Sequence, residues 1–202
     1  MPLLLKAAKV TCEITKCMNR QIMHHFINEY KRDFDRVNQY IIYKWKAVKC
    51  FQENWDIDCE DFYEILELSF ALTKNLMDSG RYFPRKMLVQ YAQRNPNKLR
   101  ELFWSLFDEE EDLYTRIVNF QNSINFIHAL YFQNKSSYQD TRAVIVYLTL
   151  RYPERYFFYK FEMFKQFSKI LELSYKPKMG KLENVGHFNS ISELIRYELS
   201  LD

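Results

Sequence analysis

The chain has 202 residues, a mass of 24.8 kDa and a formal net charge of +3, which corresponds to one ordinary domain or two small ones. Aromatic residues make up 17% of it, but it contains only 3 glycines and 5 prolines. This composition excludes collagen-like, low-complexity and disordered chains, and it disfavours a β-sandwich or barrel, which needs frequent turns. We therefore predict a mainly α-helical domain of several helices.

The glycines also exclude two classes of nucleotide-binding protein. They stand at positions 80, 180 and 186, so neither the P-loop pattern nor the dinucleotide pattern G-x-G-x-x-G can be written. The sequence also lacks the H-E-x-x-H zinc motif and the G-x-S-x-G nucleophile motif. We expect no cofactor and no catalytic residue, although an enzyme of an unlisted type stays open.

A long amphipathic pattern opens the helical part of the chain. Apolar residues recur every three or four positions from Ile22 to Val48, and no glycine or proline interrupts them. This period predicts one long helix, or two collinear helices, ending near Trp55.

Capping residues then mark the next helices. Asp58 is the predicted N-cap of a second helix, which ends at residues 78–80 with Gly80 as its C-cap. Pro84 and the Asn95-Pro96 pair each predict a helix start. The five acids of residues 108–112 suit the electropositive start of another helix better than a metal site.

The C-terminal third alternates loops and helices. Residues 135–137 form a predicted loop, Asp140 caps a helix that Pro153 ends, and residues 155–160 are at most a short strand or extended segment. Helical spacing resumes at Met163, and residues 175–186 are a predicted loop. Ser190 and Glu193 have the spacing of a capping box for the last helix.

These elements suggest three regions. Residues 1–17 are an N-terminal extension of uncertain order, residues 18–134 form a helical domain with the long first helix, and residues 135–202 form a basic, aromatic-rich helical part packed on it as one unit. Residues 135–181 hold ten Lys or Arg against four Asp or Glu, a local balance of +6.

Cysteine and histidine patterns favour structural roles. Cys12 and Cys17 could form half of a zinc site, but no second pair of ligands completes it, so we expect no metal. His128 lies among apolar residues and is predicted to be a hydrogen-bonded core residue. No segment is long and apolar enough for a membrane span, and Leu3–Leu5 is too short for a signal peptide, so we expect a cytoplasmic protein with reduced thiols.

The excess of basic residues suggests phosphate contacts, whereas the helical spacing of the neighbouring phenylalanines indicates that they fill a core. A solvated basic surface is an equally good explanation for the cations. The candidate nucleic-acid-binding residues are Arg81, Arg85, Lys86, Arg142, Arg151, Arg155, Lys160, Lys165, Lys176 and Lys178.

Several stretches, taken in order, resemble the N-terminal region of McrB-like restriction proteins. They are residues 43–58 (YKWKAVKCFQENWDID), 75–86 (NLMDSGRYFPRK), 102–109 (LFWSLFDE), 138–140 (YQD), 147–156 (YLTLRYPERY), 159–165 (YKFEMFK) and 176–178 (KPK). The resemblance runs from about residue 30 to the end. The AAA+ NTPase part of that family is missing here, and the first 17 residues match none of its features.

The resemblance implies a target-binding module that contacts DNA for an AAA+ NTPase, which in turn recruits a nuclease subunit. The α/β reader domain that flips methylated cytosine in the best-known members is not recognisable here, so base flipping is not carried over. The alternative is a protein-interaction module in which the helix from Ile22 to Trp55 binds a partner subunit or a second copy.

Overall fold

The structure is a computed structural model that describes residues 18–201, and it confirms a mainly α fold. The helices are α1 (Arg20–Arg32), α2 (Phe34–Asn54), α3 (Phe62–Ser69), α4 (Lys74–Met77), α5 (Pro84–Arg94), α6 (Pro96–Phe107), α7 (Leu113–Tyr131), α8 (Thr141–Arg151), α9 (Phe161–Ile170) and α10 (Glu183–Leu199), with a short 3-10 helix (Ala71–Thr73) before α4. Within residues 18–201 the strand-like pairing is limited to one bridge between Ser79 and Tyr82. Residues 156–160 have no regular structure.

The long first pattern forms two helices separated by Asp33. The Asp33 amide donates to the carbonyl oxygen of Glu29 at 3.0 Å, and its own carbonyl accepts from the Val37 amide at 3.0 Å. The helical hydrogen bonds therefore continue across the junction. The second of these helices ends at Asn54, next to the predicted end at Trp55.

Four predicted helix starts are confirmed. Pro84 is the first residue of α5, where its missing N–H costs no hydrogen bond. The side chains of Asn95, Asp112 and Asp140 each accept a hydrogen bond from the backbone amide three residues further on, at 3.0 to 3.1 Å. Each of these side chains satisfies one of the amides that an α-helix leaves unpaired at its start.

The second predicted helix begins and continues differently from the prediction. Its N-cap is Asp61, which accepts from the Glu64 amide at 3.0 Å, whereas the Asp58 amide donates to Asp56 in the preceding turn. The helix stops after Ser69, because the Phe70 carbonyl accepts instead from the Thr73 amide and hydroxyl and from Arg85 Nε. Gly80 does have a positive φ of 52°, but it lies in the 79–82 turn, two residues beyond the C-cap of α4.

The predicted capping box at the last helix is wrong. The helix α10 begins at Glu183, so Ser190 lies inside it and its hydroxyl donates to the Gly186 carbonyl at 3.0 Å. A serine can form this bond back to the preceding turn within a helix, so its presence does not by itself mark a start. Glu193 pairs with Arg196 instead of capping an amide.

The chain forms two compact units. The terminal unit consists of residues 18–40 and 159–201 of the described chain, and the central unit consists of residues 41–158. The predicted boundary after residue 134 thus falls inside the central unit, between α7 and α8. The predicted extension, residues 1–17, lies outside the described residues.

Aromatic side chains fill the core of the central unit. The Trp55 ring stacks on Phe51 with centroids 4.8 Å apart and meets Phe103 edge-on at 5.2 Å. Phe103 also contacts Tyr147, and every residue of α8 from Ala143 to Leu150 is buried. A helix that is buried all round fixes its neighbours tightly, so the elements around it are rigid supports for surface residues.

The terminal unit has its own core, built on α9 and α10. Phe164 is fully buried against Phe188, with ring centroids 5.7 Å apart, and Val185 and Ile191 are buried beside it. Phe161 and Phe167 are half-buried. Within residues 18–201, no helix combines the length and the apolarity that crossing a membrane requires.

Candidate nucleic-acid interface

A groove runs along α5 in the central unit. It consists of two adjoining cavities, about 460 and 350 Å³ in volume, that share Phe83, Lys86 and Gln90. We call it the Lys86 groove. The other residues that line it are Glu67, Lys74, Asp78, Arg85, Val89 and Gln93 in the first cavity, and Met87, Asn134, Lys135, Ser136 and Tyr138 in the second.

The groove carries a positive balance. Four cationic residues line it, Lys74, Arg85, Lys86 and Lys135, against two carboxylates. One of these, Asp78, accepts from the Arg85 amide at 3.0 Å and so satisfies the start of α5. The three lysines are exposed. The Nζ of Lys135 donates to Gln90 at 3.3 Å and lies 5.2 Å from the centroid of the Phe132 ring, so its ammonium is held at the groove.

A strained loop supplies the second wall of the groove. Tyr138 has a positive φ of 55°, a backbone conformation that costs a residue with a Cβ about 1 kcal/mol or more. Its neighbour Gln139 is buried and donates to the Pro84 carbonyl at 2.9 Å, which ties the loop to the start of α5. The Tyr138 ring thereby meets Tyr82 and Phe83 edge-on, with centroids 5.8 and 6.0 Å apart.

A chain of two hydrogen bonds places Lys135 at the groove. The Tyr91 hydroxyl lies 2.7 Å from Nδ1 of His128, and Nε2 of His128 lies 2.7 Å from the Lys135 carbonyl oxygen. A carbonyl only accepts, so Nε2 carries the proton and Nδ1 accepts from Tyr91. Burial raises the pKa of Tyr91, which keeps this hydroxyl a donor. His128 is thus hydrogen-bonded through both ring nitrogens, as predicted, but it is half-buried and not a core residue.

Three predicted site residues lie at or beside the groove. Lys86 is exposed at its centre, Arg85 lines it, and Arg81 is exposed in the turn that precedes α5. Arg85 is partly committed to structure, because its Nε donates to the Phe70 carbonyl at 2.8 Å. Lys86 is thus the predicted residue best placed to bind a phosphate.

The guanidinium of Arg142 makes two contacts within the protein. Its Nη2 donates to the Leu76 carbonyl at 3.1 Å, and its guanidinium carbon lies 5.0 Å from the centroid of the Tyr82 ring. This cation–π contact helps to hold the aromatic side of the groove. Arg151 is exposed, with its guanidinium over the Tyr152 ring at 5.1 Å.

Arg155 belongs to an ion-pair cluster around Glu109. Its Nη1 lies 2.7 Å from one carboxylate oxygen of Glu109, and the buried Arg116 lies 2.6 Å from the other. Tyr156 donates to the same carboxylate and accepts from Arg116. Burial raises the pKa of Glu109, but the hydrogen bonds from Arg155, Arg116 and Tyr156 outweigh it and hold the pKa below its usual value.

The remaining four predicted residues belong to the terminal unit. Lys160 precedes α9, Lys165 is exposed on it, and Lys176 and Lys178 are exposed in the loop before α10. The Nζ of Lys176 donates to the Leu173 carbonyl at 2.7 Å. The basic stretch that is continuous in sequence is therefore divided between two compact units.

The sequence-based prediction missed four residues of the groove, namely Lys74, Phe83, Lys135 and Tyr138. Phe83 stands within a basic run, Arg81 to Lys86, and the residue is 36% exposed. The loop at residues 135–137 was predicted, but nothing local indicates that it returns to α5. That contact depends on buried hydrogen bonds between residues far apart in sequence.

The cysteines and other metal-binding residue types form no cluster in the described part of the chain. Cys50 and Cys59 are free thiols, and Cys12 and Cys17 lie outside the described residues. Between residues 18 and 201, no three His, Cys, Asp or Glu side chains are grouped so that they could hold a metal ion. Comparison of the chain with protein-family models, with curated proteins and with solved structures finds no match.

Proposed function

We propose that the chain is a non-catalytic, cytoplasmic module that contacts DNA through the Lys86 groove. The sequence resemblance supports a place in an McrB-like restriction or defence system, where an AAA+ NTPase and a nuclease subunit would act on the bound DNA. The single observation that carries the proposal is the Lys86 groove, in which exposed lysines lie together with exposed Phe83 and half-buried Tyr138.

The lysines suit a phosphate backbone. Lys74, Lys86 and Lys135 belong to three different elements and line the same groove. They can therefore contact successive phosphates of one strand without any rearrangement of the protein. Neutralising phosphates releases condensed counterions, which makes affinity depend strongly on salt. The contacts carry no sequence information, so this part of the binding is general.

The aromatic wall suits an unpaired base. Phe83 and Tyr138 both line the second cavity beside Lys86, and Phe83 presents an exposed ring. Stacking of a base on such a ring contributes about 1 to 3 kcal/mol and does not depend on base identity. We therefore expect a single strand, or a duplex with an unpaired base, to bind more tightly than an intact duplex.

Fluorescence anisotropy tests the proposal directly. The purified chain is titrated into a labelled duplex and a labelled single strand, each methylated and unmethylated, from about 20 to about 300 mM salt. We expect binding that weakens as salt rises. Lys86→Ala and Lys135→Ala should each lower the slope of log affinity against log salt by about 1, and Phe83→Ala should weaken single-strand binding selectively.

Lys49→Ala is the matched control. Lys49 is an exposed lysine of the same unit that pairs with Glu53 on α2, and it is not among the residues that line the groove. Its loss should leave the salt slope unchanged. A slope near zero for the parent chain, or equal slopes for the parent and Lys86→Ala, would overturn the proposal.

The second candidate function is that of an assembly module, and a groove in the terminal unit favours it. The groove has a volume of about 160 Å³ and lies between α1, α9 and α10. Its lining is almost entirely apolar and consists of Met23, Phe26, Ile27, Tyr30, Phe167, Ile170, Leu171, Ile195 and Leu199. Such a surface suits the apolar face of a helix from a partner subunit.

The two functions predict opposite results for one pair of variants. Phe26 is 49% exposed at the apolar groove, so Phe26→Glu should abolish capture of the partner NTPase or nuclease subunit and leave DNA affinity unchanged. If the chain contacts DNA, Lys86→Ala should weaken DNA binding and leave capture of the partner subunit unchanged. Partner binding without any DNA binding at low salt would favour the assembly module.

A further inference from the structure

The helix α7 has exposed apolar residues on the face opposite its core. Its inward face is formed by Ile117, Phe120, Ile124 and Ile127, all of them buried. On the outward face, Val118 is 42% exposed and Phe126 is 66% exposed, and they stand among uncharged polar residues, Thr115, Asn119, Asn122 and Asn125. A surface helix ordinarily presents charged side chains there, so this face is suited to contact with another protein.

The outward face also carries no charge. Ten residues of α7 are exposed and all ten are uncharged: Tyr114, Thr115, Val118, Asn119, Asn122, Asn125, Phe126, Ala129, Leu130 and Tyr131. On α2, by comparison, Asp35, Arg36, Lys46, Lys49 and Glu53 are all exposed. The one Lys, Arg, Asp or Glu of α7 is Arg116, which is buried in the Glu109 cluster.

Asn122 lies at the centre of this outward face. At 100° per residue, its side chain points opposite the mean direction of Ile117, Phe120, Ile124 and Ile127. Val118 and Phe126 lie four residues to either side of it and form one ridge along the helix. The ridge therefore has one polar group at its middle and an apolar group on each flank.

We propose that this face binds the same face of a second copy of the chain, with α7 crossing α7 about a twofold axis at Asn122. A charged partner would find no counter-charge on the face, and its own charges would be desolvated at a cost. Two identical uncharged faces approach without repulsion, and a twofold contact needs one self-complementary patch. The inference concerns assembly of the chain and does not depend on the DNA proposal.

The position of the axis follows from the polar group. With the axis at Asn122, the two Asn122 amides meet and can hydrogen-bond to each other, while Val118 lies across from Phe126 of the second copy. Shifting the axis to the point between Asn122 and Phe126 would bury each amide against an aromatic ring without a partner, which is costly. A buried asparagine selects the register in the same way in coiled coils. With this axis the other two asparagines of the face also meet, since Asn119 lies across from Asn125 of the second copy.

Sedimentation equilibrium of the full chain tests the proposal. We expect a monomer–dimer equilibrium for the parent chain, and at least a roughly tenfold weaker dimer for Phe126→Glu. Leu72→Glu is the matched control, since Leu72 is also an exposed apolar residue of the central unit but lies on the 3-10 helix. It should leave the dimer unchanged.

A charge exchange at the axis tests the geometry without relying on Phe126. Asn122→Asp and Asn122→Lys should each be monomeric when alone, because two like charges meet at the axis. Their equimolar mixture should regain a dimer that contains one of each. A monomeric parent chain at about 100 μM, or a mixture that stays monomeric, would overturn the proposal.

Discussion

The carboxylate of Glu109 lies 2.6 Å from Nη1 of Arg116, whose side chain is only 4% exposed. Arg116 also donates to the Leu106 carbonyl and to Tyr156, so one buried guanidinium joins the end of α6, the start of α7 and the segment after α8. Glu109 supplies the negative charge that this guanidinium needs away from water.

Glu109→Gln should therefore destabilise the chain markedly. It removes the counter-ion of a buried cation, and we expect a loss of about 3 kcal/mol in the free energy of unfolding, measured by urea denaturation. Glu110→Gln, in the same acidic run but exposed, is the control and should change it by about 0.5 kcal/mol or less. Equal effects for the two variants would contradict a special role for Glu109.

The Glu109 cluster also predicts a pH dependence. The pKa of Glu109 is lower in the folded chain than its ordinary value of 4.5, so its contribution is complete above that value and is lost as the pH falls through the folded pKa. The stability difference between the parent chain and Glu109→Gln should therefore shrink below pH 4.5. Urea titrations at a series of pH values measure it, and a constant difference would contradict the assignment.

The N-cap of α3 distinguishes two nearby aspartates. Asp61 accepts from the Glu64 amide, so Asp61→Ala should lower the free energy of unfolding by about 1 kcal/mol. Asp58 is exposed in the preceding turn, and there its backbone amide donates to the side chain of Asp56. Because the substitution keeps this amide, Asp58→Ala should have little effect on the free energy of unfolding. A larger loss for Asp58→Ala in thermal or urea unfolding would restore the sequence-based assignment.

These aspartates illustrate how far the sequence predicts this fold. Pro84 and Asn95 were placed correctly, because a proline, Pro84 itself or Pro96 after Asn95, marks the first position of each helix. Two aspartates, Asp58 and Asp61, precede α3 and each could cap it, and spacing alone does not choose between them. Tertiary contacts determine where α3 begins and therefore which aspartate caps it.

The Lys86 groove could be predicted only in part. Lys86 was identified from local charge, but Lys135 is 49 residues away in the sequence. The Gln139–Pro84 and His128–Lys135 hydrogen bonds bring its loop to α5. Hydrogen bonds between individual polar groups leave no periodic signal in a sequence. The partners of Arg142 and Arg155, Leu76 and Glu109, could not be predicted for the same reason, because they are distant in the chain.

Tyr91→Phe should loosen the loop that carries Lys135. It removes the donor to His128 Nδ1 and leaves this half-buried nitrogen unpaired, at a cost of about 1 to 2 kcal/mol in urea unfolding. Amide hydrogen exchange at residues 133–137 should accelerate, because His128 also holds the Lys135 carbonyl. Tyr63→Phe, which removes a surface hydroxyl that accepts from Gln93, is the control and should leave this exchange unchanged.

Arg142 and Lys86 should respond oppositely to the same substitution. Arg142→Ala removes a hydrogen bond to Leu76 and a cation–π contact with Tyr82, and should lower the free energy of unfolding by about 1 to 2 kcal/mol. The salt slope of DNA binding should not change. Lys86→Ala removes an exposed ammonium, so stability should be preserved while the slope falls by about 1. A salt slope that falls for Arg142→Ala with unchanged stability would instead support Arg142 as a phosphate contact, as the sequence analysis predicts.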